Sequence, residues 1–175
     1  TLQCIIQAVA FMLGHGSGTF VAKYLAQRNL DRASTYCTTA FASGGIIGFL
    51  LTTVGLTFLD PFLKFLGSTE TILPYAKQYG SWILISCPFL ICSLVLNNVL
   101  RYEGKAFYAM FGLGAGGVLN IFGDYILIER FNMGVYGAGL ATAVSQMISF
   151  SILPSFISTA PTKSNIIIIA CMKKL

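Results

Sequence analysis

Several apolar runs in this chain reach the roughly 20 residues that an α-helix needs to cross a bilayer. Runs of that length exceed what a core helix of a soluble domain requires. Composition agrees, with 55% of residues hydrophobic, 10% charged and a mean hydropathy of +0.77. A soluble domain carries about a quarter charged residues, so the expectation is an all-α integral membrane protein embedded in a lipid bilayer.

Hydropathy and breakers place five spans. They run from about Leu2 to Ala26, Tyr36 to Leu59, Ser81 to Leu100, Ala106 to Ile128 and Tyr136 to Ile157. Asp60-Pro61 closes the second, Pro88 lies inside the third, and Pro154 falls near the end of the fifth. Between Pro61 and Tyr79, apolar Phe62, Leu63, Phe65 and Leu66 mix with Lys64, Ser68 and Glu70, which reads as an interfacial amphipathic segment. The bundle occupies residues 1–160, and 161–175 read as a cytoplasmic tail or truncated linker. The chain begins at Thr1 without a basic n-region, and the run from Ile166 to Cys171 is too short to span. The expectation is an internal piece of a longer transporter-sized protein.

Lys and Arg set the orientation. One set of loops holds Lys23, Arg28, Arg32, Arg101, Lys105 and Lys163, the other Lys64, Lys77 and Arg130, so the first is expected to be cytoplasmic. The net charge of +5 is spread over membrane-edge loops, which disfavours nucleic acid as a partner. No two of Cys4, Cys37, Cys87, Cys92 and Cys171 are spaced as a Cys-x-x-Cys pair, and buried cysteine behaves as a small hydrophobe.

Asp124 is the one acid deep in an apolar run, and Asn120 shares its helical face four residues earlier. A carboxylate at the bilayer midplane costs about 2.5–3.5 kcal/mol and marks an ion or proton site; the plainer reading is a hydrogen bond to a neighbouring helix. Gly112-x-x-x-Gly116 and Gly137-x-x-x-Ala141 are small-residue pairs that let helix backbones approach, and they can bring the fifth span toward the Asn120–Asp124 face. His15, in Gly14-His15-Gly16-Ser17-Gly18, lacks the nucleophile-elbow pattern and a second His, so an intramembrane enzyme is disfavoured. A polar group packed between helices or lining a cavity is the better reading of His15.

Three blocks resemble the multidrug and toxic compound extrusion (MATE) family of cation-coupled exporters. They are Gly14 to Ala33, Asn97-Asn98-Val-Leu-Arg101-Tyr-Glu-Gly104, and Val118 to Ile128 followed by Gly134 to Thr142. Their order and spacing are similar to helices two through six of the family's N-terminal six-helix lobe, and the resemblance covers about Gly14 to Ile157. It implies that the first helix and a second lobe lie outside this chain. Ala26-Gln27 departs from the Gly-Ala pair that usually closes the family's second helix.

Carried over, the resemblance implies a cation site of Asp124, Asn120 and Thr142, with Asn97 or Asn98. One carboxylate with neutral oxygens suits a hard cation such as sodium. The implied function is a secondary antiporter of the plasma (inner) membrane, coupled to sodium or protons. It needs no other cofactor and exports small organic cations. The alternatives are a lipid-linked oligosaccharide flippase of the same superfamily, for which basic cavity residues would be expected, and a non-transporting scaffold subunit.

Overall fold

The computed structural model describes residues 2–159, with side chains to residue 152. These residues form helices joined by short turns, and no strand occurs among them. In chain order the helices are α1 (Leu2–Ala26), α2 (Leu30–Thr57), α3 (Leu59–Phe65), α4 (Leu73–Tyr102), α5 (Ala106–Asp124) and α6 (Gly134–Thr159). A π-helical stretch, Tyr125–Arg130, continues α5. Five of the helices, α5 taken with its extension, are long and apolar enough to cross a membrane.

The spans meet the expected positions with two shifts. α2 starts at Leu30 rather than near Tyr36, because Asn29 caps it by accepting from the Arg32 backbone N–H at 3.3 Å. α4 starts at Leu73 rather than Ser81, with Pro74 in its first turn, where a missing N–H costs nothing. The mixed segment therefore divides: its first half is the short α3 and its second half merges into α4. Pro61 sits in the first turn of α3, and α2 has already ended at Thr57.

α4 is the central helix. It packs against α1, α2, α3, α5 and α6, and Leu90 through Leu100 are all buried. α5 leans mainly on α6 and leaves Phe107, Met110, Phe111, Val118, Ile121 and Phe122 exposed, as does α2 with Ile46, Phe49 and Leu50. Large apolar side chains facing outward at membrane depth are normal for helices solvated by lipid.

Pro88 would leave the Leu84 carbonyl without its helical partner. The Thr52 hydroxyl of α2 donates to that carbonyl at 2.6 Å. Gly48, one turn earlier, lets the α2 backbone lie against Pro88, since a Cβ there would come within 2.7 Å of the proline Cα. A helix break inside the membrane is thus satisfied by a neighbouring side chain.

The ends of α1 and α4 and the starts of α2 and α5 lie on one side, which gathers Lys23, Arg28, Arg32, Arg101 and Lys105 there. On the opposite side Lys64 pairs with Glu70 at 3.2 Å and Lys77 with Asp60 at 2.6 Å, so two of its cations are offset by acids. Lys163 and the expected tail, 161–175, lie outside the described residues, as does Cys171.

Candidate functional site: a polar cavity at the C-terminal end of α5

Asn120 and Asp124 stand one turn apart in the last part of α5, on a face that packs against α6 and opens on a cavity also lined by α1. Gly123 brings α6 close, as a Cβ there would lie 3.1 Å from that of Ala141. Gly116 does the same against Ser149, whose hydroxyl donates to the Gly112 carbonyl at 2.9 Å. The small residues noted in the sequence thus work as close-packing positions. Gly137 instead packs within its own hairpin, against Leu127 and Met133.

This approach lets the Asn120 amide donate to the Thr142 hydroxyl at 3.2 Å. Thr142 in turn donates to the Ala138 carbonyl at 2.9 Å. Asp124 Oδ1 is buried and has no hydrogen-bond partner among the described residues. The backbone widens immediately after it into the π-helical stretch, closed by a bond from the Phe131 N–H to the Ile126 carbonyl at 3.3 Å. Such π segments interrupt α-helices frequently at functional sites.

Asp124, Asn120 and Thr142 line a cavity of about 260 Å³. Gln3 and Gln7 of α1, Gln146 of α6 and Ser93 of α4 are among its other polar lining residues. The cavity therefore offers one carboxylate among neutral amide and hydroxyl groups. These four residues were absent from the expected set. Spacing could have found three of them, since Gln146 follows Thr142 by four residues, and Gln3 and Gln7 are themselves four apart.

Asn97 and Asn98 are placed elsewhere. The Asn97 amide donates to the Ala109 carbonyl at 2.6 Å and ties α4 to the start of α5. Ala109 precedes Asp124 by fifteen residues on α5, roughly 22 Å of helix. Asn98 donates to the Leu94 carbonyl at 2.9 Å and packs against Gly14. Both are buried, and neither lines the Asp124 cavity. Asp124 lies six residues before Arg130, the last residue of its candidate span.

Ser17 donates to the Leu13 carbonyl at 2.8 Å, a local helix bond, and not to His15. Among the described cysteines, Cys37, Cys87 and Cys92 are buried and Cys4 is exposed.

A bundle of membrane-spanning helices around a polar cavity with one carboxylate defines a multi-pass membrane protein. Its family follows from comparison: the MatE family model matches residues 1–126, and the chain belongs to that family. The multidrug export protein MepA of Staphylococcus aureus (strain MRSA252) is 29% identical over 143 residues, covering 82% of this chain and 32% of MepA. An inward-facing multidrug resistance MATE family transporter of the MOP superfamily has the same fold, with a TM-score of 0.85, 24% identity, and coverage of 96% of this chain and 41% of that one. The outward-facing form of a MATE family transporter gives a TM-score of 0.81 at 24% identity, over 96% and 40% of the two chains. The chain spans about a third of the length of the curated relatives it matches.

Proposed function

We propose that this chain is most of one lobe of a cation-coupled exporter of organic cations, working in the plasma membrane with a second lobe beyond the chain. The observation that carries this reading is the unpartnered, buried Asp124 Oδ1 beside the Asn120–Thr142 pair in a polar cavity. An intramembrane carboxylate without a structural partner is stabilised when a proton or cation arrives. The neighbouring oxygens of Thr142, Asn120 and Gln146 are the hard, neutral donors a sodium ion takes. Among the described residues no group of three His, Cys, Asp or Glu side chains stands together, so the donor set favours an alkali cation or a proton over a transition metal.

Ion binding at Asp124 changes the charge of a cavity walled by three helices besides its own, α1, α4 and α6. Coupling follows if the ion-bound and ion-free lobes differ in affinity for the exported cation. Each charge moved through 100 mV supplies about 2.3 kcal/mol. That MepA is named a multidrug export protein supports the substrate class. A flippase for anionic lipid-linked sugars is less well supported, because no Lys or Arg lines this cavity.

The test is export of a fluorescent organic cation by the full-length protein in proteoliposomes with an imposed sodium or proton gradient. Wild type concentrates the dye against its gradient, and Asp124→Asn loses at least 10-fold in rate. Wild-type export by Asp124→Asn would end the coupling proposal.

A further inference from the structure

A second cavity, of about 320 Å³, lies beside the first. It is enclosed by the start of α1, by α3 and the turn after it, and by the first turns of α4, with Leu2, Leu63, Ser68 and Ala76 in its wall. Two residues, Gln3 of α1 and Tyr79 of α4, line this cavity and the Asp124 cavity alike. They are therefore the partition between the two spaces.

The partition consists of side chains, and they can move. Gln3 and Tyr79 are each half-buried, and no hydrogen bond to another described residue holds either side chain. A change of rotamer at these two positions joins the cavities without breaking a hydrogen bond.

The frame around the partition is fixed by contrast. Gly139 lets α6 lie against the Tyr79 backbone, since a Cβ there would come within 3.3 Å of the Tyr79 Cα. Asp60 pairs with Lys77 at 2.6 Å and so ties α3 to the first turns of α4. The second cavity is also far larger than one water molecule requires, and Gln3, Ser68 and Tyr79 supply polar partners for water there.

We propose that the second cavity is the vestibule of an access path, gated by Gln3 and Tyr79, along which water and the coupling ion reach Asp124 from the side bearing α3. The distribution of Lys and Arg makes that the outer side. The path rests on the exporter reading for its ion, but its course rests on the two cavities and their shared wall.

The test is the accessibility of the Asp124 cavity in the purified full-length protein, read without transport. Asn120→Cys places a thiol in that cavity, and Cys4→Ser removes an exposed one. Labelling of position 120 by a trimethylammonium methanethiosulfonate, which is permanently cationic and travels in water, is timed by mass spectrometry. Ala76→Phe, which fills the vestibule, slows labelling about 10-fold or more, and Ala76→Ser stays within about 2-fold of the parent. Gln3→Ala, which opens the gate, speeds labelling about 3- to 10-fold.

Misfolding would expose position 120 and speed its labelling, so it cannot produce the slowing. In Gln3→Ala the buried Cys87 must stay unlabelled; if it reacts, Ala76→Phe decides alone. A rate equal to the parent's in Ala76→Phe, or in a folded Gln3→Ala, overturns the gate, as does a parent that is not labelled. Ion-driven export is measured on proteins that keep Asn120. Slowed labelling without ion-driven export retains the path and removes the exporter reading. Ion-driven export with unchanged labelling does the reverse.

Discussion

The Asn120 amide of α5 donates to the Thr142 hydroxyl of α6 at 3.2 Å, one helical turn from Asp124, whose buried Oδ1 has no hydrogen-bond partner among the described residues. Membrane hydrogen bonds of this kind are worth about 0.6 kcal/mol on average, so the pair contributes little to stability. Its position at the cavity gives it a different weight. Thr142→Val is expected to lower thermal stability by less than about 1.5 kcal/mol. The same change should raise the half-saturating concentration of the coupling ion about 10-fold, and Thr142→Ser should restore it. Ion titration of transport alongside thermal unfolding separates the two effects.

Thr52 and Pro88 form a second pair that must be read together. Thr52→Val leaves the Leu84 carbonyl without a donor and should cost about 1–2 kcal/mol. Pro88→Ala restores an N–H to α4, so in that background the Thr52→Val cost should fall by more than half. A double-mutant cycle on thermal unfolding of the full-length protein measures this, and additive costs would contradict the capping role.

Gly48 lies against the Pro88 backbone, with no flexible atom able to yield. Gly48→Ala should therefore cost about 1–3 kcal/mol. Gly117→Ala should cost nothing measurable, since a Cβ there meets no atom within 4 Å. Parallel melting curves test the contrast.

Glu103, in the turn between α4 and α5, has a fully buried side chain with no hydrogen-bond partner among the described residues. Burial pushes its carboxyl up to about 7, while the Lys105 ammonium at 3.6 Å pulls the other way. The folded state then holds this proton more tightly than the unfolded chain. Its contribution to stability is greatest below the ordinary value of 4.5 and is lost as pH rises toward about 7. Glu103→Gln should flatten the pH dependence of melting in that window and raise stability at pH 8. A variant that melts as wild type does at every pH would contradict the burial.

Much of this arrangement was legible in the sequence because membrane helices are specified by long apolar runs. All five spans are legible, and Gly116 and Ala141, one from each small-residue pair, do lie at the α5–α6 approach, while Gly137 does not. The errors have physical sources. Hydropathy cannot see that Asn29 caps α2 or that Pro74 opens α4, so both helices began later in the sequence reading than in the fold. Asn97 and Asn98 looked like ion ligands by type, but a residue's depth depends on where its helix starts and ends. Gln3, Gln7 and Gln146 were missed because a lone glutamine in an apolar run is unremarkable until a neighbouring helix brings a carboxylate to it.

The central claim is that Asp124 carries the ion that drives export, and ion flux coupled to substrate tests it most directly. Full-length protein is reconstituted in vesicles without an ion gradient, an outward gradient of organic cation is imposed, and opposing sodium or proton movement is recorded. The account predicts coupled counter-movement in wild type and its loss in Asp124→Asn, with substrate binding retained. Equal ion movement in the two proteins would contradict it.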